Sequence, residues 1–339
     1  MTTKKIIAVV GATGKQGGSV ARTFLQDTSL TSEWQVRAIT RDPSSARAVE
    51  LAKLGAEVVG ASLGSVSDLE RAFADATAVF IVTDFFSSTQ DNATQARVKS
   101  EGIDLFVAAG ETETSWAFNA AIAASRTPTL QRFVFSALPP VAQLSGGRLP
   151  LALPFDSKWA AVVRIEAELP DLWAKTSIIL VGYYHSNVQP KYNAARGRAE
   201  LEGPLGADAP LGFIDVDIST GAYVRALVVD EPAGIQLVAF DEFRSMSETV
   251  EMLARATGRE VTYVEQTIEE VQAKHGPFGQ ILIQICTWFA EYGVFGEKVE
   301  GWKNKLTWPK DLRVKVPVRS LESWIAERTG LFEVDGVQA

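Results

Sequence analysis

Short β-branched runs alternate with amphipathic helical stretches along the first half of the chain. The runs predict strands at residues 6–10, 35–39, 56–59, 78–82 and 132–135. The stretches between them predict helices at residues 18–26, 44–54 and 66–73, and two further helices over 92–125, interrupted near Gly110. Such alternation is typical of βαβ units, so it predicts a doubly wound α/β fold of the Rossmann type. We expect the ligand site beyond the carboxyl ends of the strands.

The second half of the chain has a looser pattern. Its predicted helices and strands are helix 159–169, strand 176–184, helix 220–229, strand 235–239, helix 247–257 and strand 260–266. Residues 193–213 are polar, glycine-rich and aperiodic, so we expect a loop that covers the site or a mobile lid. Residues 278–295 are apolar on nearly every side of a helix, which predicts burial in the second half of the fold or in a partner interface.

Composition and charge argue against several classes of function. Of 339 residues, 46% are apolar and 22% are charged, as in ordinary globular proteins. The net charge is −8, so we expect no direct binding of nucleic acid. One cysteine and two widely separated histidines argue against a metal site. The apolar runs are too short to cross a membrane, so we expect a cytoplasmic protein, with access to the nucleus if it is regulatory.

A glycine-rich turn separates the first predicted strand from the first helix. The sequence GATGKQG places Gly11, Gly14 and Gly17 in the strand-to-helix context that a dinucleotide-binding loop requires. Gly11 permits the tight turn, Gly14 lets the backbone approach a pyrophosphate, and Gly17 lets the helix lie close to the strand. The amino end of the helix then offers N–H groups to the phosphates. Further candidate contacts in this loop are Thr13, Lys15 and Gln16.

The end of the second predicted strand indicates which coenzyme is preferred. NAD-selective sites carry an acidic residue there, about 20 residues beyond the motif, which accepts a hydrogen bond from the ribose 2′-hydroxyl. Here Thr40 and Arg41 end the strand, and Asp42 comes one residue too late. Arg41 can bind a 2′-phosphate with its forked guanidinium, and Lys15 can add a second positive charge. The sequence therefore favours NADP(H) over NAD(H).

Polar residues also end the fourth and fifth predicted strands. Thr83 and Asp84 follow the fourth strand, where the backbone commonly passes the nicotinamide half of the coenzyme, and Ser136 ends the fifth. We expect these three residues at the cofactor site. Phe85 and Phe86 come directly after them and predict an apolar wall of a substrate pocket.

Longer stretches of the sequence match a known family. GATGKQGGSVAR, VRAITRDPSSARAVELAKLGAEVV, TPTLQRFVFSALP and LPFDSKWAAVVRIEAEL follow one another along the chain, and FIDVDISTGAYV and GREVTYVEQ come later. With these segments the chain resembles the NmrA-like family of atypical short-chain dehydrogenases, especially its fungal members. Where many members carry an acidic residue after the third strand, this chain has Ala61 and Ser62, which puts the expected adenine contact in question.

The resemblance implies a domain organisation and a cofactor. A Rossmann domain would span residues 1–183 and take in roughly 212–240, and a smaller interleaved C-terminal α/β domain would comprise residues 184–211 and 241–330. NADP(H) would lie in the cleft between them, held by the glycine loop and Arg41. The family includes both reductases and redox-sensing regulators, so membership does not decide the activity.

The usual catalytic pair of short-chain dehydrogenases is incomplete here. That pair is a Tyr four residues before a Lys on one helix, with the Tyr as proton donor. Lys158 resembles the lysine, but Pro154 stands in place of the tyrosine, and no tyrosine precedes Tyr183. Lys158 is then the polar catalyst of a direct hydride transfer, or it only holds the ribose in a sensor of the NADP(H) redox state, or it is a solvated helix residue.

The first two hypotheses imply different partners. A reductase would act on a small molecule, which we expect to be apolar and conjugated or aromatic, whereas a non-catalytic sensor would act through a regulatory protein partner. The sequence leaves the oligomeric state open. Besides Lys158, the candidates for catalysis are Tyr183 and His185. The candidate substrate pocket comprises Phe85, Phe86, Trp159, Tyr183, Tyr184 and Asn187. The alternative for the two tyrosines is half-buried packing at the end of a strand.

Overall fold

A seven-stranded parallel sheet forms the centre of the computed structural model, which describes residues 4–328. Its strands are β1 (Lys5–Val10), β2 (Trp34–Thr40), β3 (Glu57–Gly60), β4 (Ala78–Val82), β5 (Arg132–Ala137), β6 (Thr176–Val181) and β11 (Gln236–Ala239). They lie in the order β3, β2, β1, β4, β5, β6, β11, and every neighbouring pair is parallel. The direction of winding reverses between β1 and β4. The predicted doubly wound fold is confirmed.

Two small sheets lie outside the central one. Their strands are β7 (Tyr183–Tyr184), β8 (Lys191–Asn193), β9 (Arg198–Gly203), β10 (Leu211–Ile214), β12 (Glu242–Arg244) and β13 (Val261–Glu265). Strand β10 pairs with β7 and β12, and β9 pairs with β8 and β13. The region 193–213, which we expected to be a loop that covers the site or a mobile lid, contains two strands of these sheets, so the expectation of an irregular loop is wrong, although residues 200–205 do line the cavity described below. Buried Glu200 and Leu201 show that β9 is part of the folded core.

Helices cover both faces of the central sheet. They are α1 (Lys15–Gln26), α2 (Ala46–Lys53), α3 (Val66–Ala72), α4 (Phe85–Thr89), α5 (Asn92–Glu101), α6 (Leu105–Ser125), α7 (Val141–Leu144), α8 (Leu153–Glu168), α9 (Pro170–Trp173), α10 (Ser219–Arg225), α11 (Met246–Thr257), α12 (Ile268–His275), α13 (Pro277–Tyr292) and α14 (Leu321–Ala326). A π-helical turn, Ala226–Asp230, continues α10. Short 3₁₀ turns occur at His185–Asn187, Lys303–Lys305 and Pro309–Asp311.

Alternating residues of the strands face opposite layers of helices. Ile7 and Val9 of β1 belong to a buried cluster with α1 and α10, whereas Ala8 and Val10 belong to one with α3, α6 and α8. Because side chains alternate along a strand, both faces of the sheet bury apolar residues. This explains the continuous apolar run that predicts β1.

The interruption of the long helical segment lies earlier than predicted. Gly102 ends α5 in the left-handed region at φ 68°, and the side chain of Asp104 accepts hydrogen bonds from the first turn of α6. Gly110 lies inside α6, where a Cβ atom would be 3.7 Å from the Cβ of Ser157 in α8. This glycine therefore allows close packing of two helices and breaks neither of them.

The C-terminal part of the chain returns to the edge of the central sheet. The Thr307 N–H donates to the carbonyl oxygen of Gln236 at 2.8 Å, and its carbonyl oxygen accepts from Val238 at 3.0 Å. The predicted division into two domains stays a prediction, and its last residues, 329–330, lie outside the described residues. No helix of the described part is long and apolar enough to cross a membrane.

Candidate functional site

A cavity of about 1370 Å³ opens at the carboxyl edge of the central sheet. Strand ends line it at Val10, Thr40, Val82, Ser136 and Val181. Pockets for drug-sized ligands have volumes of about 300–1000 Å³, so this cavity has room for a larger ligand or for two ligands side by side. It lies at the edge where the parallel sheet predicts a ligand site.

The glycine loop forms one wall of this cavity. Gly11 has φ +70°, a left-handed conformation that L side chains rarely adopt, and a Cβ atom at Gly17 would lie 2.3 Å from the carbonyl oxygen of Gly11. Helix α1 begins after Gly14, and no side chain of the described residues caps it. The loop therefore offers backbone N–H groups at a helix amino end, which suits the phosphates of a dinucleotide.

Side chains of the loop reach across to the neighbouring strand ends. The Ser136 hydroxyl donates to Gln16 Oε1, and Gln16 Nε2 donates to the Tyr184 hydroxyl, both at 2.7 Å. Lys15 Nζ donates to the Ser186 hydroxyl at 2.5 Å. Gln16 thus joins the end of β5 to β7 through the glycine loop, which fixes the loop relative to the sheet.

The end of β2 presents a cation to the cavity. Arg41 is exposed and lines the cavity, and its Nη2 lies 3.5 Å from the Ser87 hydroxyl at the opposite wall. Asp42 does not line the cavity, because it accepts hydrogen bonds from the backbone N–H and hydroxyl of Ser44. These bonds hold the pKa of Asp42 below its usual range. Thr13 also lines this end, 3.2 Å from the Thr40 hydroxyl.

The end of β4 combines polar and aromatic lining. Asp84 accepts from the Phe86 N–H and from the Ser87 hydroxyl, at 3.1 and 2.6 Å, and thereby caps α4. The buried hydroxyl of Thr83 has no hydrogen-bond partner among the described residues and belongs to the cavity lining. Phe85 is buried and Phe86 is 48% exposed, and both line the cavity. A buried hydroxyl without a partner suits a polar ligand at this wall.

Lys158 lies in α8 and is paired with a buried carboxylate. Its Nζ donates to Glu113 Oε1 at 2.5 Å and to the carbonyl oxygen of Pro154 at 3.3 Å. The Ser157 hydroxyl donates to Glu113 Oε2 at 2.5 Å. Lys158 lines the cavity although it is only 8% exposed. Since an ammonium has three N–H donors, these two contacts leave one for a ligand.

Apolar side chains, mainly from the second half of the chain, form a large part of the remaining lining, and we call them the apolar chamber; polar residues of the same half, among them Lys191, Glu202 and Lys274, line the cavity as well. The apolar chamber comprises Leu138, Phe155, Leu201, Leu205, Leu211, Met246, Leu282, Ile285, Cys286, Phe289 and Val294. Tyr183 and Asn187 belong to the same lining. Burial raises the pKa of Tyr183, so its hydroxyl keeps its proton. Burial likewise raises the pKa of the Cys286 thiol to about 12, which makes it a poor nucleophile.

The prediction that Trp159 lines the substrate pocket is wrong. Its ring packs against Trp302 at 5.0 Å between centroids, and it does not line the cavity. Successive residues of an α-helix point about 100° apart, so Lys158 and Trp159 face different sides of α8.

The prediction that His185 acts as a catalytic acid is also contradicted. His185 is fully buried between Phe213 and Trp324, at 6.1 and 5.9 Å between ring centroids, and does not line the cavity. Burial is the main cause that lowers its pKa to about 3. The imidazole is therefore neutral near pH 7 and cannot reach a ligand in the cavity.

Sequence reasoning missed Glu113 and most of the apolar chamber. Glu113 falls at helical spacing on the face of α6 that carries Gly110, Ala117, Ala120 and Ala124. A single carboxylate on a face of small residues is a signal that the sequence does contain. Residues of α13 reach the chamber only through tertiary packing, which no local pattern reports. In the described residues, no three His, Cys, Asp or Glu side chains come together as a metal site.

Comparison with known proteins shows one family along almost the whole chain. The model of the NmrA-like family matches residues 3–315. The NmrA-like family domain-containing oxidoreductase cpsB of Aspergillus campestris is 30% identical over 277 residues, which cover 78% of this chain and 76% of that protein.

Two solved structures share the fold. The crystal structure of NmrA, a negative transcriptional regulator, in complex with NADP has 22% identity and a TM-score of 0.71, with 97% of each chain covered. An NADPH-dependent quinone oxidoreductase of Escherichia coli complexed with NADPH has 17% identity and a TM-score of 0.63, with 95% of this chain and 98% of that chain covered.

Proposed function

The chain belongs to the NmrA-like family, and we propose that it is an NADPH-dependent oxidoreductase that reduces an apolar, conjugated or aromatic small molecule. Curated relatives carry the name oxidoreductase, and similar folds have been solved with NADP and NADPH bound. The observation that carries the proposal is the single cavity shared by the glycine loop, Lys158 and the apolar chamber. A protein that only binds a dinucleotide has no need of such a chamber.

Three features of the site suit NADP(H). The pyrophosphate would lie on the glycine loop, where Gly17 keeps the amino end of α1 close to Gly11. The 2′-phosphate would lie at Arg41, which lines the cavity while Asp42 is held away from it. Thr83, Asp84 and Ser136 line the cavity at the ends of β4 and β5, where we place the nicotinamide half.

In this proposal Lys158 is the residue that contacts the reacting atoms of the substrate. The bound coenzyme supplies a hydride, and the residues of this chain orient the acceptor and handle its charge. The remaining N–H of the Lys158 ammonium donates to the oxygen or nitrogen of the acceptor, where negative charge develops, and can deliver its proton there. Pro154 offers only its carbonyl oxygen, so the usual tyrosine proton donor is missing. The Tyr183 hydroxyl is a second donor in the same cavity.

The apolar chamber defines the class of substrate. Its aliphatic and aromatic lining excludes water from the reacting atoms and favours an acceptor with a large apolar body. A charged or highly hydroxylated substrate would leave its polar groups without partners against these apolar side chains. We therefore expect quinones, enones or imines with apolar rings to be reduced in preference to sugars or hydroxy acids.

A sensor that binds NADP(H) without turnover is the second candidate. It is favoured by the absence of the tyrosine acid at Pro154, and one solved structure of this fold is described as a negative transcriptional regulator. On this account Lys158 would hold the nicotinamide ribose, and the chain would act through a protein partner.

A turnover assay separates the two candidates. Purified protein is mixed with NADPH and a panel of quinones, enones and imines, and oxidation is followed at the nicotinamide absorbance. The reductase predicts turnover of at least one acceptor, and it predicts that Lys158→Ala loses kcat at least tenfold more than affinity for NADPH. Binding of both NADP⁺ and NADPH with no acceptor consumed, and capture of a partner protein in one redox state alone, would instead establish the sensor.

A further inference from the structure

We propose that Glu113 is a positioning residue for Lys158. Its buried carboxylate holds the ammonium at the wall of the cavity, with one N–H left for a ligand. The inference rests on the proposed function, because the catalytic role of Lys158 comes from there. Glu113 lies in α6, so it belongs neither to the glycine loop nor to the strand ends that the sequence identified.

Both oxygens of the Glu113 carboxylate accept hydrogen bonds from side chains of α8. It has no exposed surface, and its two oxygens accept from Lys158 Nζ and from the Ser157 hydroxyl, each at 2.5 Å. Lys158 also donates to Pro154, one turn earlier in the same helix. Two fixed acceptors define the direction of the remaining N–H, whereas a free lysine side chain would sample many rotamers on its flexible stem.

The close packing of α6 on α8 restricts the Glu113 side chain to one orientation. The Thr114 hydroxyl donates to the carbonyl oxygen of Ser157 at 2.8 Å, and Gly110 lets the helices approach one turn before. Buried alanines follow on the same face of α6 at positions 117, 120, 121 and 124. A carboxylate held between two tightly packed helices cannot rotate to solvent, so the lysine has a rigid counter-ion.

Packing alone does not require this ion pair. Removal of two charges from water is costly, and well-packed apolar residues of similar volume often stabilise a protein as well as a buried ion pair or better. Apart from Glu113, Ser157 and Lys158, the buried side chains of α6 and α8 are apolar, and the other charged contact, Arg164 over the Phe118 ring, lies further along the two helices. The lysine of this ion pair also lines the cavity. The positive charge of Lys158 is therefore within reach of a ligand in the cavity, which gives the buried pair a role in binding that packing does not explain.

The first experiment measures the reactivity of Lys158 in the protein without coenzyme. Trace acetic anhydride acylates amines that are free to react, and release of the Lys158 amine from the Glu113 carboxylate would let its flexible stem move into the cavity. Peptide mass spectrometry compares the labelling of Lys158 with that of exposed Lys53. We expect Glu113→Gln to raise the ratio at least fivefold. Glu111→Gln removes a carboxylate of the same helix that pairs with Arg97 on the surface, and it is expected to leave the ratio unchanged.

The second experiment divides the effect between binding and turnover. In the reductase assay, Glu113→Gln is expected to lower kcat at least tenfold while the KM for NADPH changes less than threefold. Glu113→Asp, which keeps the charge on a shorter side chain, is expected to recover part of the loss. If Glu113→Gln does not fold, Ser157→Ala removes the second donor and keeps the charge, and we expect it to raise labelling of Lys158 two- to threefold.

The two experiments distinguish a failure of the positioning role of Glu113 from a failure of the proposed reductase function. Wild-type labelling of Lys158 in Glu113→Gln, or in Ser157→Ala where the first variant does not fold, would overturn the positioning role. An unchanged kcat in a folded Glu113→Gln variant that still oxidises NADPH would do the same. If the wild type reduces no acceptor, the proposed function fails, and the labelling ratio alone then decides whether Glu113 holds Lys158.

Discussion

A Cβ atom on Gly17 would lie 2.3 Å from the carbonyl oxygen of Gly11. The two residues belong to the amino end of α1 and to the turn after β1, so this contact sets how closely the helix lies on the strand. Backbone atoms occupy both sides of the contact, and neither side can yield as the end of a flexible side chain would. Glycine is therefore required at position 17 by packing as well as by the ligand.

Gly17→Ala tests this requirement. We expect the added methyl group to push α1 away from the loop, which lowers the free energy of unfolding by about 1–3 kcal/mol and weakens NADPH binding at least tenfold. Chemical denaturation and titration of nicotinamide fluorescence measure the two effects. Gly206→Ala is the control, because no atom lies within 4 Å of the Cβ position there. Wild-type stability and affinity in Gly17→Ala would contradict the packing argument.

Arg41→Asp tests coenzyme selectivity. The change removes a cation at the cavity and places a carboxylate where NAD-selective sites have one. We expect the preference for NADPH over NADH to fall more than tenfold, about 1.5–3 kcal/mol for a charge-assisted contact. Binding of both coenzymes is measured by calorimetry. Arg126→Asp makes the same change of charge beside Glu70 on the surface and is expected to leave the ratio unaltered. A constant ratio in Arg41→Asp would remove Arg41 from the site.

Tyr183→Phe tests the second hydroxyl of the cavity. Among residues 4–328 no hydrogen bond to this hydroxyl occurs, so its removal costs little stability, and we expect kcat/KM to fall about three- to tenfold through the loss of one hydrogen bond to substrate. Tyr263→Phe provides the contrast. Its hydroxyl donates to the carbonyl oxygen of Leu205 at 2.6 Å, and we expect its loss to lower stability by about 0.5–1.5 kcal/mol. An unchanged kcat/KM in Tyr183→Phe would make this tyrosine a packing residue.

Asp241→Asn tests a buried carboxyl beside His185. Burial raises the pKa of Asp241 to about 7, so in the folded protein it keeps a proton that the unfolded chain loses near its ordinary pKa of 3.8. Stability from this group is therefore present at low pH and falls as the pH rises towards 7. The asparagine variant has no such fall. We expect its stability relative to wild type to increase by about 2 kcal/mol between pH 5 and pH 8, measured by urea denaturation.

His185 does not disturb that comparison. Its lowered pKa, about 3, gives the opposite dependence, with stability that rises between pH 3 and its ordinary pKa of 6.5, and both proteins carry it. Asp171→Asn, at an exposed site, is the control for the loss of a carboxylate as such. Parallel stability curves for Asp241→Asn and wild type would show that Asp241 is ionised in the folded protein throughout.

The sequence alone predicted the structure correctly where the chemically informative residues lie next to a clear hydrophobic pattern. Gly11, Gly14 and Gly17 lie within one turn after a β-branched run, so both the loop and the strand could be predicted from adjacent residues. Arg41 could be placed because the end of a parallel strand has a fixed position relative to that loop.

Contacts between distant segments were beyond the reach of local patterns. Helical spacing could not tell whether Trp159 faces the cavity or Trp302, which lies far along the chain. His185 follows a strand that ends at the cavity, but Trp324 of α14 covers it. Strand β9 was missed because its charged residues and the glycines at and before its ends hide the alternation, and its partner β13 supplies the register.

The segment around Thr307 has a consequence for self-association. It occupies the outer side of β11 with two backbone hydrogen bonds, at the side of the sheet where a bare strand would accept a strand from another molecule. The opposite border, β3, is only four residues long. Aggregation by strand addition at β11 thus requires this segment to detach first.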